Sequence, residues 1–199
     1  MTVVVANTKG GTGKTTAAVY LSKALSSHGK VLGMDADPQG SFYEWHSEAA
    51  EAGTPLPFDV GVANAAILKR KVPGSEAYGF VVIDTPPGDQ AIIRAALDMA
   101  DVVIIPVQAA PMDMKRMWAT LDVVGGTPAI VLLSNIDRNT LLSREAREAL
   151  EGEEDVVVFE AAIPHLQEIR KADGTNPADL QGYGAVAHEL LQLIDGNTK

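Results

Sequence analysis

At 199 residues the chain is long enough for one α/β domain with a sizeable core and barely long enough for two, and its 46% hydrophobic and 21% charged content is that of an ordinary soluble protein. It has no cysteine, which excludes disulfides, thiolate catalysis and cysteine-held iron–sulfur clusters together. Its 16 basic residues against 26 acidic ones leave a net charge of −10, which argues against a large basic surface for DNA but leaves room for a small patch built by a dimer.

The start shows neither a basic leader nor a signal peptide, because Thr2-Val3-Val4-Val5-Ala6 runs straight into Asn7-Thr8-Lys9-Gly10-Gly11-Thr12-Gly13-Lys14-Thr15-Thr16. β-Branched residues favour a strand over the first segment. Gly10, Gly11 and Gly13, with Thr12 among them, let the backbone curl and turn its N–H groups inward around an anion. A helix beginning near Lys14 adds its unpaired N-terminal N–H groups, so this corner is built to hold phosphate. Lys14 is expected across the β- and γ-phosphates, the Thr15 hydroxyl on a bridging Mg²⁺, and Thr16 toward the α-phosphate. The usual spacing, G-x-x-x-x-G-K-[ST], asks for glycine at position 8, where this chain has Thr8; a second lysine, Lys9, stands at the mouth of the loop.

Ala17, Ala18, Leu21, Ala24 and Leu25 continue the helix to a stop at Gly29, and Val31-Leu32-Gly33-Met34 is a short second strand. It ends in Asp35-Ala36-Asp37-Pro38-Gln39-Gly40, where Pro38 holds Asp37 away from the helical conformation and leaves both acids in a loop. Residues 41 to 52 read as a helix, 53 to 61 carry at most a short strand, and a small helix around 62 to 70 closes with Lys69-Arg70-Lys71, which suit either the helix dipole or a binding patch. Phe80-Val81-Val82-Ile83 is a buried strand whose terminal Asp84 is placed to hold a water on Mg²⁺; Thr85-Pro86-Pro87-Gly88-Asp89 follows.

Residues 102 to 107 and 129 to 133 are two further apolar strands of the kind a parallel sheet covers on both faces. Between them Met114, Met117, Trp118, Leu121 and Val124 form one helical stripe, read as core. Residues 139 to 150 are amphipathic and 156 to 159 are the last strand. The closing helix, near 180 to 194, turns Leu180, Tyr183, Ala187, Leu190, Leu191 and Ile194 inward. The alternation predicts one α/β unit over 1–199, a doubly wound, mostly parallel sheet with helices on both faces, of the P-loop NTPase type, with ligands at the carboxyl ends of the strands. His28, His46, His165 and His188 have no metal-ligand spacing; His165 is assigned to the surface, with the nucleotide side as the alternative. No serine stands in G-x-S-x-G, and no apolar run reaches membrane-spanning length, so a cytoplasmic protein is expected.

Taken together, Lys9-Gly10-Gly11-Thr12-Gly13-Lys14-Thr15-Thr16, Asp35-Ala36-Asp37-Pro38-Gln39-Gly40 and Val82-Ile83-Asp84-Thr85-Pro86-Pro87-Gly88 resemble the deviant Walker A, switch I and switch II segments of the ParA/MinD ATPase superfamily, over essentially the whole chain. Within it the chain looks most like the small ParA-type plasmid partition ATPases that lack an N-terminal helix-turn-helix domain. The resemblance implies that Lys9 crosses a dimer interface to the partner's nucleotide and that Gly11 marks the close approach of two subunits. It makes Asp37 the switch I acid that orients the attacking water, Asp84 the Walker B acid and Gly88 a backbone donor near the γ-phosphate. Asn135 resembles the residue that reads adenine, and Ile163-Pro164 the backbone set against the base. Thr15, Asp37 and Asp84 are the expected Mg²⁺ group.

Relatives separate on simple features. Nitrogenase iron protein needs cluster-ligating cysteines, and a MinD-type protein needs a terminal amphipathic membrane helix where this chain ends apolar but acid-terminated. A small-molecule synthetase resembling dethiobiotin synthetase stays open, as does a nucleotide-gated adaptor with little turnover. The implied activity is ATP hydrolysis by an ATP-dependent homodimer without a membrane anchor, stimulated by a ParB-like centromere-binding protein and nucleoid-associated when ATP-bound. DNA contact is expected to be weak, non-specific and steeply salt-sensitive, through Arg138, Arg144, Arg147, Arg170 and Lys171 in preference to the 69 to 71 run. The resemblance extends equally to an ATPase that positions another cellular cargo.

Overall fold

A computed structural model describes residues 1–70, 74–137, 140–153 and 155–196. Seven strands form its sheet: β1 (Thr2–Val5), β2 (Val31–Asp35), β3 (Asp59–Val62), β4 (Phe80–Asp84), β5 (Val102–Val107), β6 (Ala129–Leu133) and β7 (Val157–Val158), in the spatial order β3-β2-β4-β1-β5-β6-β7. All the described ladders between them are parallel. The chain winds outward from β1 to β3, returns through β4 and winds the other way through β5, so the crevice beyond the carboxyl ends of β1, β4 and β5 is where such a sheet takes its ligand.

Among the described residues α1 (Lys14–Leu25), α2 (Ser41–Glu51), α3 (Ala65–Leu68), α4 (Gln90–Leu97), α5 (Pro111–Val124) and α6 (Leu141–Glu151) carry the crossovers, and α7 (Gln167–Lys171) and α8 (Tyr183–Gly196) follow β7. Because side chains alternate along a strand, each central strand feeds two cores. Val3, Val5, Val82, Ile104 and Leu132 pack beneath α1, α2 and α8, while Val4, Ile83, Val103, Ile105 and Leu133 pack beneath α3 to α6. Burial on both faces accounts for the unbroken apolar runs in the sequence.

Several boundaries move from their expected places, each for a local reason. The small helix expected from 62 starts at Ala65, because Val62 still pairs with Asp35 in β3 and Asn64 caps the helix by accepting from the N–H groups of Ala66 and Ile67. Lys71, from the basic run, lies outside the described residues. The last helix starts at Tyr183 because Gln181 and Gly182 take positive φ values of 50° and 97°. The last strand shrinks to two residues at the sheet edge. Helix α4, capped by Asp89, and the short α7 were not expected. On α5 the inward face is Asp113, Met117, Thr120 and Val124, so Trp118 points outward at 38% exposure, against the expected stripe.

Candidate nucleotide site

The loop after β1 is anchored before it is shaped. Asn7 donates through Nδ2 to the Pro106 carbonyl (2.8 Å) and accepts from the Lys9 N–H (2.9 Å), tying the loop to β5. Thr8, standing where the common motif has glycine, donates its N–H to Thr120 Oγ1 on α5 (3.1 Å). Gly13, at φ 87°, then turns the chain into α1, a conformation that a side chain would strain. Lys14 is 7% exposed and donates from Nζ to the Lys9 carbonyl (3.0 Å), closing the loop on itself. Burial lowers its pKa, opposed by the charges of Asp84 and Asp37.

Opposite the loop stand the acids. Thr15 Oγ1 donates to Asp84 Oδ2 at 2.6 Å, while Asp84 Oδ1 is buried with no hydrogen-bond partner. Burial pushes Asp84 up to about 7; the Thr15 hydrogen bond and Lys14 oppose this, and Asp35 and Asp37 add to it. A threonine hydroxyl beside a carboxylate oxygen left unpaired is a hard-oxygen donor set that fits Mg²⁺. Among the described residues no three His, Asp or Glu side chains converge on a metal position, so a cation here needs oxygens from the nucleotide and water.

Asp35 is fully buried and accepts from the N–H groups of Asp37 (3.0 Å) and Tyr43 (2.9 Å). It therefore fixes both the half-buried Asp37 and the start of α2. Burial raises its pKa, and those two backbone bonds are among the groups that oppose the rise. Gly88 has a φ of 78° in the segment after β4, and Pro87 of the same segment lies against Gly10.

The side expected to take the base assembles from distant segments. A cavity of about 190 Å³ is lined by Gly11, Thr12, Gly13 and Thr16 of the loop and by Asn135, Ile163 and Pro164. An isolated parallel bridge between Ile136 and Pro164 brings the last of these together, with Ile136 N–H donating to the Ile163 carbonyl (3.1 Å). Asn135 takes a positive φ of 54°, and its Oδ1 meets His165 Nδ1. His165 is exposed, as the surface assignment expected, and although its ring meets Asn135 it is not among the residues that line the cavity. Gln108 and Arg170 also line the cavity, and Gln108 Nε2 donates to the Gly11 carbonyl (3.1 Å). Sequence reasoning missed Gln108; its only signal was a polar residue directly after a buried strand. Thr12, which also lines the cavity, has a buried Oγ1 without a hydrogen-bond partner.

Two expectations take a different form. Lys9 is bound within its own chain, donating from Nζ to Asp113 Oδ1 on α5. Of the basic residues expected on a DNA surface, Arg147 is already engaged by Glu151 (3.1 Å) and by the carbonyls of Phe159 (3.3 Å) and Glu160 (3.1 Å). Arg170 borders the nucleotide cavity, Arg144 and Lys171 are exposed, and Arg138 lies outside the described residues.

A parallel sheet whose first strand empties into a glycine loop closed by Lys14, with Thr15 hydrogen-bonded to an acid at the end of β4, defines a P-loop nucleotide hydrolase. Residues 3–178 match the CobQ/CobB/MinD/ParA nucleotide binding domain, and the chain belongs to that family of ATP-hydrolysing proteins. It is similar to maintenance of carboxysome distribution protein A of Gloeobacter kilaueensis, 35% identical over 192 residues that cover 94% of this chain and 87% of the relative. It is also similar to the chromosome-partitioning ATPase Soj of Thermus thermophilus, 31% identical over 207 residues covering 85% and 83%. A solved ATP complex of a Cyanothece McdA variant shares the fold, with a TM-score of 0.78 at 22% identity over 96% of this chain and 95% of that one. Relatives named for carboxysome distribution thus stand beside those named for chromosome partition, which widens the expectation of plasmid partition. No described helix is long and apolar enough to cross a membrane.

Proposed function

We propose that this ATPase is Mg²⁺-dependent, dimerises on ATP and positions a cargo inside the cell, with a cargo-bound partner protein stimulating hydrolysis. The observation that carries the proposal is the Thr15–Asp84 pair, with its unpaired Asp84 oxygen, beside Lys14. In this reading Thr15, Asp84 and Asp37 would hold Mg²⁺, which would neutralise phosphate charge. Lys14 and the loop N–H groups hold the β- and γ-phosphates, and Gly88 donates its N–H near the γ-phosphate. Asp37, held in place by Asp35, accepts a hydrogen bond from the attacking water and directs it in line with the leaving oxygen. Asn135 and the backbone at Ile163-Pro164 take the base. Lys9 completes the site of a second subunit, next to Gly11, after leaving Asp113.

For the cargo, the similarity to a carboxysome distribution protein favours a protein body. The similarity to a chromosome-partitioning ATPase favours a second reading, in which a ParB-like protein links the ATPase to DNA cargo. Both readings place it in the cytoplasm, and both use ATP-gated, non-specific DNA binding as a track, with the nucleoid bound only by the ATP dimer. Turnover is checked with Lys14→Ala, which should lower ATP hydrolysis at least 100-fold; unchanged kinetics would remove the site. The track is checked by retention on non-specific duplex DNA with ATP, ADP or no nucleotide across a salt series. Retention with ATP alone, lost steeply as salt rises, is expected. Equal retention in all three states would reject the gating.

A further inference from the structure

Arg170 is the only charged side chain among the described residues that line the cavity proposed for the nucleotide. Among the described residues no carboxylate pairs with its guanidinium and no hydrogen bond occupies it. Arg147, by contrast, is held by Glu151 and two backbone carbonyls.

Helix α7, which carries Arg170, is five residues long, yet it is fixed at both ends. Before it, the His165 N–H donates to the Ile136 carbonyl (2.9 Å), beside the bridge between Ile136 and Pro164. After it, the Thr175 N–H donates to the Ala172 carbonyl (2.9 Å), and Trp45 Nε1 on α2 donates to the Thr175 carbonyl (2.7 Å). Ala172 is buried and Ile169 packs against the same core, three residues apart on one side of the helix. A cation on a backbone held in this way loses less freedom on meeting a ligand than one on a loose loop.

The charge decides what the cation meets. A cavity whose described lining holds one cation and no acid favours an anion over a neutral sugar or base. Thr16, expected toward the α-phosphate, lines the same cavity, whereas Lys14, assigned to the β- and γ-phosphates, does not. A guanidinium presents five N–H donors in a planar fork that matches phosphate oxygens. We propose that Arg170 is a nucleotide-binding residue whose guanidinium takes the α-phosphate, while Lys14 takes the outer two. This withdraws Arg170 from the basic set expected on DNA. It rests on the reading of the cavity as the nucleotide's.

Calorimetric titration of ADP with Mg²⁺ into the full chain reads the contact without turnover or DNA. Arg170→Ala and Arg170→Gln should each weaken ADP at least tenfold, the size of a lost hydrogen bond to a charged group. Arg170→Lys keeps the charge without the fork and should bind better than Arg170→Gln. Lys115→Ala, which removes an exposed cation on α5, should stay within twofold of wild type. Because Arg170 is itself exposed, melts without nucleotide should match for all four variants, so a loss of affinity is not a loss of fold. Arg170→Ala within twofold of wild type would overturn the proposal, as would an equal loss in Lys115→Ala, the mark of a general field. Arg170→Gln binding better than Arg170→Lys would move the contact from phosphate to sugar or base and overturn it too. A wild-type chain that fails to bind ADP would remove the nucleotide reading along with this one, whereas unchanged affinity in Arg170→Ala removes this one alone.

Discussion

Lys9 and Asp113 form an ion pair that joins the mouth of the phosphate loop to the first turn of α5, with the lysine 36% exposed and the carboxylate only 3%. The asymmetry matters, since removing the lysine leaves a buried charge with no counterion. Lys9→Ala should therefore lower thermal stability by about 1–3 kcal/mol, before any effect on nucleotide. Lys9→Ala combined with Asp113→Asn should recover most of that loss. Paired thermal melts measure the coupling; a double variant as unstable as Lys9→Ala would show that the pair is not its source. Asp113→Asn alone should let the chain dimerise at several-fold lower concentration of an ATP analogue, because Lys9 then leaves a neutral group behind. Sedimentation across an analogue titration reads that shift, and an unchanged midpoint would free Lys9 of the restraint.

Asp84 gives the protein a pH dependence of definite sign. Its folded-state pKa, about 7 because of burial, lies above the ordinary aspartate value of 3.8, so the native state binds a proton that the unfolded chain has released. Its contribution to stability is fully present below the unfolded value and is lost as pH rises toward 7, at up to about 1.4 kcal/mol per pH unit. Without metal or nucleotide, Asp84→Asn should flatten the fall in melting temperature between pH 5 and pH 7.5 and abolish hydrolysis. Parallel melting curves for the two proteins across that range would contradict the assignment.

The phosphate loop was legible in the sequence because its parts are neighbours in the chain: a β-branched strand, glycines free to turn, a lysine at the start of a helix. The interior strands were legible because burial on both faces leaves unbroken apolar runs. What stayed hidden depends on partners far away. Thr8 departs from the common motif where its hydroxyl meets that of Thr120, 112 residues on (3.2 Å). Asp113 and Thr120 turn inward, which rotates α5 and brings Trp118 to the surface. The closeness of Asn135 to Pro164 rests on one isolated bridge that no periodicity announces.

Asn135 carries the specificity prediction. It lines the cavity proposed for the base from a left-handed backbone conformation that asparagine tolerates better than most residues. Asn135→Ala should weaken ATP binding about tenfold and leave GTP binding little changed, since the substitution removes a base contact and spares the phosphate contacts. Competition between labelled ATP and GTP on the monomer measures the ratio. Equal losses for both nucleotides would point to collapse of the cavity and away from base reading.

Arg144 and Arg147 lie one turn apart on α6 and line the same small cavity, yet they should behave differently. Arg147 is held by Glu151 and two backbone carbonyls of the segment after β7, so truncation strips acceptors of their donor and loosens α6 from the sheet edge. Arg147→Ala should lower stability by about 1 kcal/mol and reduce DNA retention only as far as the fold suffers. Arg144 is exposed, so Arg144→Ala should leave the melting temperature within about half a kcal/mol of wild type. If the ATP-bound dimer uses this face as its track, the same variant should weaken retention on duplex DNA and reduce the slope of log affinity against log salt by about one contact. The decisive comparison is retention at matched folded fraction: a loss for Arg147→Ala that exceeds the loss for Arg144→Ala would mean that the guanidinium held inside the chain is the one that reaches phosphate.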